Sequence, residues 1–328
     1  MTEKIRWGIL GAGFISDLFV TDLLATGHSV SAVGARSSGR GQAFAAKHGI
    51  ARVHDSYEAL VADENVDIVY VATPHNFHHE HALLALNAGN HVLVEKAFAQ
   101  NAAQAVEMVA LAEAKNLVIL EAMWTRWLPH MVRLRQIIAT GTIGEVRTVI
   151  ADHNQKLSTD PLHRINNPKL AGGALLDLGI YPISFAWDVL GAPSSVQSLA
   201  TMTATGVDRQ TSVIFGYESG AQAILQTALD TAGPTTASVI GMDGWIAIES
   251  DFYAPTAFTV FDSAGAVLER FTETVVSRGM QYQAAEAERL IEAGLISGTI
   301  LPPAESVAIM ETLDHIREQI GLQFPHEQ

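Results

Sequence analysis

The chain has 328 residues, a formal net charge of −15 and no cysteine. Disulfides, thiolate nucleophiles and Cys-ligated zinc are thereby excluded, and the acidic balance argues against nucleic acid or anionic membranes as partners. With 48% apolar residues, no membrane-spanning run and no secretory leader, the expectation is a cytoplasmic α/β protein of two domains.

Residues 5–16 read Ile-Arg-Trp-Gly-Ile-Leu-Gly-Ala-Gly-Phe-Ile-Ser. An apolar strand runs into Gly11-Ala12-Gly13, and Ile15, Leu18, Phe19 and Leu23 follow at helical spacing. Gly11 permits a tight turn, and Gly13 permits a diphosphate to approach the main chain. The helix start at Phe14 and Ile15 offers free N–H groups. Ser16 stands where the third glycine of the usual fingerprint falls. This opening predicts dinucleotide binding and redox chemistry. Residues 29–36 form the second strand, ending in Arg36 with Ser37 and Arg40 close behind. An acid at that strand end would bond ribose hydroxyls and repel a 2′-phosphate. Its absence, beside guanidiniums that pair with phosphate, predicts NADP(H) as the cofactor.

Residues 66–72, 91–95 and 118–121 read as buried strands, and 82–88 and 102–115 as helices. Thr73-Pro74, Glu95-Lys96 and Glu121-Ala122 lie at strand ends, where an open parallel sheet binds its ligands. A Rossmann domain over 1–122 follows, doubly wound around a parallel sheet. From residue 145 short β-like runs dominate: 145–153, 196–204, 210–218, 221–229, 236–241, 245–250 and 257–262. Helices are expected at 280–293 and 304–319. Residues 123–328 thus read as a C-terminal α+β domain with a large, mostly antiparallel sheet. Residues 221–228 carry small or apolar side chains on both faces, so the second face is expected to meet another copy in a homodimer or higher homo-oligomer.

Residues 171–185 read Ala-Gly-Gly-Ala-Leu-Leu-Asp-Leu-Gly-Ile-Tyr-Pro-Ile-Ser-Phe. Asp177 and Tyr181, four apart, fall on one helix face about 6 Å apart. Gly172-Gly173 permits a close approach, and a carboxylate among apolar residues must be paired.

The glycine turn, Thr73-Pro74 with His78, Glu95-Lys96 and the Gly172 to Tyr181 stretch resemble the Gfo/Idh/MocA family over essentially the whole chain. The run Glu121-Ala122-Met123-Trp124-Thr125-Arg126, with the Asp-Leu-Gly-Ile-Tyr stretch and Phe324-Pro325, is similar to one branch of it. That branch holds dimeric dihydrodiol dehydrogenases and NADP-dependent sugar dehydrogenases. The resemblance implies an oxidoreductase moving hydride between nicotinamide and a secondary alcohol or hemiacetal carbon of a sugar, anhydrosugar or cyclic diol. It implies Tyr181 as the proton carrier at the carbinol oxygen, Lys96 as its electrostatic partner, and Asp177 orienting Lys96 or a substrate hydroxyl. A phenol is a poor base at neutral pH, and an adjacent ammonium favours the phenolate. It also implies Thr73, Pro74, His75, Glu95, Lys96, Trp124 and Arg126 near the cofactor, and Trp124, Asn154 and Lys156 near the substrate. Trp127, outside the family motif, reads either as a further wall of that pocket or as ordinary inter-domain packing.

Ala97 stands where the family often has proline, so a trans Lys96-Ala97 bond is expected. His75, His78, His79 and His81 cluster without a second ligand-bearing segment, so no metal is expected. In the family's dihydrodiol dehydrogenases the stretch matching Asp152-His153-Asn154-Gln155-Lys156 is more apolar. Its polarity here predicts polyhydroxylated sugars over aromatic dihydrodiols. The alternative is a non-catalytic NADP(H)- or sugar-sensing protein of the same fold. Lys96, Asp177 and Tyr181 together favour the enzyme.

Overall fold

The structure, a computed structural model, describes residues 4–325 and 327. The chain forms two compact units, Met1–Trp124 with Val275–Met310, and Thr125–Thr274 with Glu311–Gln328.

The first unit alternates strand and helix: β1 (Arg6–Leu10), α1 (Phe14–Ala25), β2 (Ser29–Gly34), α2 (Ser38–His48), β3 (Arg52–His54), α3 (Tyr57–Val61), β4 (Ile68–Val71), α4 (His78–Asn87), β5 (His91–Glu95), α5 (Ala102–Ala114) and β6 (Ile119–Ala122). All six strands are parallel, in the order β3-β2-β1-β4-β5-β6. Continuous apolar strands such as Ile-Val-Tyr-Val in β4 suit a sheet covered on both faces. The order reverses between β1 and β4, which opens a crevice at their carboxyl ends.

Gly11 lies just past β1 with φ +105°, and a Cβ there would stand 3.1 Å from the Ala72 carbonyl oxygen. Only glycine fits that turn without strain. Ser16 is fully buried, and its hydroxyl donates to the Gly11 carbonyl at 2.6 Å. The serine in the third glycine position is therefore satisfied inside the turn itself.

The expected domain boundary is corrected. The break falls after Trp124, and Val275–Met310 returns to the first unit. Buried polar groups explain the return. Asp22 of α1 is fully buried, and its carboxylate accepts the Ser277 hydroxyl and the amides of Arg278 (3.2 Å) and Met280 (2.8 Å). Glu288 accepts the Trp7 indole N–H at 2.7 Å and bonds His28 at 2.8 Å.

The second unit holds α6 (Pro129–Ala139), β7 (Val146–Asn154), α7 (Ile180–Leu190) and seven further strands: β8 (Ser195–Met202), β9 (Asp208–Gly216), β10 (Gln222–Ala228), β11 (Ala237–Gly241), β12 (Gly244–Ile248), β13 (Phe258–Asp262) and β14 (Val267–Phe271). They form one sheet ordered β14-β13-β12-β11-β7-β10-β9-β8. Every pairing is antiparallel except β7 with β10. Helices α8 (Gln281–Glu292) and α9 (Pro303–Ile320) complete the chain. The stretch Pro168–Leu190 is long and apolar enough to cross a membrane, but its most apolar 18-residue window is 89% buried, and α7 packs on β7 and β10 as a core helix does.

The two glycines of the β1–α1 turn are separable by substitution. Gly11→Ala is expected to destabilise the protein by about 1–3 kcal/mol, through the strained φ and the close carbonyl. Gly13 has an extended backbone (φ −102°, ψ −176°), and a Cβ there would meet nothing within 4 Å. Gly13→Ala should therefore leave the melting temperature unchanged, yet weaken dinucleotide binding by roughly tenfold or more, because the methyl occupies the diphosphate's approach. Thermal denaturation and a fluorescence titration with NADPH check the pair.

Candidate active site

The first unit supplies what a dinucleotide needs. Phe14 is 79% exposed at the start of α1, and no side chain caps that helix. Asp17, in the first turn, would oppose an anion there. It is paired with Lys47 at 2.6 Å and His48 at 2.8 Å, and the Lys47 contact leads in holding its carboxyl below the usual range. Arg36, Ser37 and Arg40 are exposed around the start of α2, and the Ser37 side chain makes no cap bond. A helix start flanked by two guanidiniums is an anion site. Beside it lies a cleft of about 280 Å³ lined by Arg36, Asp55, Ser56, Tyr57, Glu58, Phe77, Glu80 and His81. The Arg36 guanidinium sits over the Phe77 ring at 5.8 Å. These residues fit the phosphate and flat heterocycle of a dinucleotide.

At the ends of β4 and β5 the chain is held by histidines. His75 Nε2 bonds the Lys96 carbonyl at 3.1 Å, and His78 bonds the Ala97 carbonyl at 2.9 Å and the Thr73 carbonyl at 2.8 Å. Burial and the neighbouring His75 push the His78 imidazole down to about 3, and the two carbonyls oppose that push. His81 bonds the Thr73 hydroxyl at 2.9 Å, and His79 bonds Glu107 at 2.8 Å. The histidine cluster thus organises the loops around Thr73 and Lys96. Here one expectation is corrected: the Lys96-Ala97 bond is cis. The local preference for trans yields to a tertiary setting in which the carbonyls on both sides of the bond are tied to histidines. Glu95 is buried and accepts the Tyr70 hydroxyl, with the Lys96 amide at 3.3 Å from its other oxygen.

In the second unit Asp177 and Tyr181 are both nearly buried. The expected single α-helical turn between them is corrected. Leu175–Gly179 is a π turn that runs into α7 at Ile180, so Asp177 and Tyr181 straddle a change of helical register. Pro182 explains the change, because it lacks the N–H that an α-helix would aim at the Leu178 carbonyl. Arg164 reaches Asp177 with nitrogens at 3.2, 3.3 and 3.4 Å. The glycine pair before the turn approaches the chain itself. A Cβ on Gly172 would lie 2.6 Å from the Ile165 carbonyl oxygen, and the Gly173 amide donates to that carbonyl at 2.8 Å. Leu157 and Ile165 pack with Ala174, Leu178 and Leu229, which fixes the segment carrying Arg164.

Tyr181 is one of three rings. His153 stacks on Tyr253 at 4.3 Å and meets Tyr181 edge-on at 5.1 Å, and Tyr253 lies 4.8 Å from Tyr181. Gln155 Nε2 donates to the Tyr253 hydroxyl at 3.2 Å and contacts His153 Nε2 at 2.9 Å. The expected substrate residues Asn154 and Lys156 are not in this group. Strand alternation turns even-numbered positions of β7 to the opposite face. Asn154 packs on Gly233 and bonds Asp152, Asp152 accepts the amides of Thr235 and Thr236, and Lys156 is exposed in a bridge to Asp230. The odd residues His153 and Gln155 stand in the ring group instead, and counting by two along 152–156 separates the two sets. Tyr253 carried no sequence signal.

Arg126 and the tryptophans are also relocated. Arg126 belongs to the second unit, where Ser184 (2.9 Å) and Asp188 (3.0 Å) hold its nearly buried guanidinium, and Arg135 shares Asp188 at 2.8 Å. The guanidinium expected near the cofactor thus stands as a buried strut between the 124–127 turn and α7. Trp124 ends the first unit, with the Arg278 guanidinium 5.6 Å from its ring, and Trp127 is buried in the second.

Comparison with known proteins identifies the family. Residues 5–122 match the model of an oxidoreductase family with an NAD-binding Rossmann fold, and residues 131–247 match the GFO/IDH/MocA C-terminal domain. The trans-1,2-dihydrobenzene-1,2-diol dehydrogenase of Bos taurus is 35% identical over 98% of this chain and 99% of its own. The NADP(+)-dependent D-xylose 1-dehydrogenase of Hypocrea jecorina is 35% identical over 98% and 93%. The aldose-aldose oxidoreductase of Caulobacter crescentus, solved with glycerol, superposes with a TM-score of 0.87 at 22% identity, covering 97% of each chain. With both family domains matched in order and full-length relatives at this identity, the chain belongs to the Gfo/Idh/MocA family of oxidoreductases.

Proposed function

We propose that this protein is an NADP(H)-dependent oxidoreductase acting at a secondary alcohol or hemiacetal carbon, and that it prefers polyhydroxylated sugars to aromatic dihydrodiols. The observation that carries the substrate class is the company of Tyr181. His153 and Gln155 bring polar edges to a ring cluster that would otherwise be a plain aromatic wall. A site built to bond hydroxyls penalises a ligand that leaves those groups unpaired. The relatives named for a diol and for D-xylose bracket this reading.

When bound, NADP(H) supplies the hydride acceptor or donor. Tyr181 takes the carbinol proton at its phenolic oxygen during oxidation and returns it during reduction. Lys96 is assigned, on the family resemblance, as the ammonium that favours the phenolate. Asp177, oriented by Arg164, accepts a hydrogen bond from a substrate hydroxyl. Arg36, Ser37 and Arg40 select the 2′-phosphate. The presence of Lys96, Asp177 and Tyr181 together favours an enzyme over a sensor of the same fold.

The assembly reading rests on one face of the second sheet. Ile150, Ile224 and Ile214 stand in register on the adjacent strands β7, β10 and β9, each more than 40% exposed, and Leu199 on β8 is 77% exposed. Such a flat apolar row suits a second copy of the chain, giving a homodimer. Sedimentation at micromolar concentration should return a dimer, and Ile224→Lys should shift it towards monomer.

Turnover on pentoses, hexoses, anhydrosugars, cyclic diols and an aromatic dihydrodiol tests the substrate class. The highest kcat/KM is expected on a sugar, and a higher value on the aromatic diol overturns the preference. On the best substrate Tyr181→Phe should lower kcat by ~10²–10⁴, the loss typical of a general acid or base. Arg36→Ala should weaken NADP+ binding by about 1.5–3 kcal/mol and leave NAD+ binding nearly unchanged. Equal wild-type affinity for the two cofactors, by calorimetry, would remove the selectivity assigned to Arg36.

A further inference from the structure

Asp208 opens β9 and is fully buried. Its Oδ2 accepts the Thr211 hydroxyl at 2.7 Å and the Leu175 amide at 2.8 Å. Leu175 is the first residue of the π turn that contains Asp177 and leads into α7 and Tyr181. The other oxygen, Oδ1, faces Gly173, where φ is +123° and a Cβ would stand only 2.2 Å away. One carboxylate thus grips the start of the turn from a different strand and dictates glycine at the residue two before it.

Among the described residues no charged side chain hydrogen-bonds to Asp208. The charges on neighbouring elements are engaged elsewhere: Arg209, next in β9, pairs with Asp230 at 3.5 Å, and Asp177 pairs with Arg164. Burying an acid without a counter-ion is costly. Burial pushes the carboxyl up to about 7, against the pull of the Thr211 hydroxyl and the Leu175 and Ala174 amides. A surface serine or asparagine caps a helix without that cost, so the placement calls for a function that an ordinary cap does not serve.

We propose that Asp208 is a positioning residue for the reaction: by holding the Leu175 amide it sets the start of the π turn, and through that turn the reach of Asp177 and Tyr181. This rests on Tyr181 being the proton carrier. A change from π to α register at residues 175–179 moves every side chain that follows around the helix axis, and catalytic rates are steeply sensitive to displacements of about 1 Å.

The test compares Asp208→Ala, Asp208→Asn and Thr211→Val, with Tyr181→Phe run beside them. Rates on the best sugar substrate are normalised to NADPH sites counted by fluorescence titration. Asp208→Ala should lose roughly tenfold or more in kcat, with substrate KM and NADPH Kd within about twofold of wild type. Asp208→Asn keeps an acceptor for the Leu175 amide and should recover kcat to within about threefold. Thr211→Val, which frees the carboxylate to rotate, should lose about two- to fivefold. An alanine variant with more than half of wild-type kcat overturns the proposal, as does an asparagine variant as slow as the alanine one. A loss in which KM, Kd and the folded fraction worsen together also overturns it, because a purely structural role moves them together. Should the alanine variant not fold, Thr211→Val with unchanged kcat decides against it. A Tyr181→Phe enzyme of near-normal rate would instead sink the proton-carrier assignment, a different failure read from a different variant.

Discussion

In a sheet whose strands all run one way, every carboxyl end lies along the same edge. That constraint gathers the first unit's working groups. Gly11 follows β1, Arg36 follows β2, Thr73 follows β4, and Lys96 follows β5. They are scattered over 86 sequence positions from Gly11 to Lys96, yet pairing of β2, β1, β4 and β5 as neighbours leaves their loops side by side. The reversal of order between β1 and β4 keeps the loops from closing over one another. Helices α1 and α2 start on this edge too, both without a side-chain cap. The histidines of the 75–81 segment are fasteners within this edge: each of the four bonds a partner that is itself part of a strand-end loop or a packed helix.

How much of this was legible depends on whether the signal was local. The glycine turn, the missing acid at Arg36 and the apolar runs of β4 and β5 are read from a few adjacent residues, and the structure has them where expected. The second sheet was equally legible as alternating runs, apart from β14, whose half-exposed Val-Leu-Glu-Arg-Phe shows no alternation. What escaped was set by distant partners. No periodicity announces that Asp22 will accept amides from residues 278 and 280. No local preference announces a cis bond before Ala97 when two histidines hold the flanking carbonyls. In 152–156 the polarity is local and legible, while which side chains join the Tyr181 rings follows from the period of two: His153 and Gln155 do, and Asn154 and Lys156 do not.

The second unit carries its polar groups in a different manner. In its cluster Tyr181 and His153 are buried and Tyr253 and Gln155 half-buried, while the Arg126–Asp188 pair and Asp208 are buried. Each of these acids is fixed by at least one neighbour from another element: Asp177 by Arg164, Asp188 by Arg126 and Arg135, Asp208 by the Leu175 amide. Networks of this kind favour one arrangement over near alternatives, because a small shift strands several buried polar groups at once. The glycines at 172 and 173 belong to the same logic. They allow backbone to lie against backbone, so the segment bearing Arg164 and the turn bearing Asp177 have little freedom to slide.

The return of Val275–Met310 to the first unit has a consequence for the order in which the protein is made. A ribosome delivers residues 1–124 early, but the groups that complete that unit arrive only after the whole of the second sheet has been synthesised. Until then the Asp22 carboxylate and the Trp7 indole N–H lack the partners that bury them. Vectorial synthesis ordinarily lets an N-terminal domain finish first; here the N-terminal unit is the one that must wait. The same connectivity means that a gene fragment cut at the apparent domain junction would carry a nucleotide-binding sheet with an unfinished flank, whereas one that fuses residues 275–310 behind residue 124 would carry the complete set of its buried polar pairs.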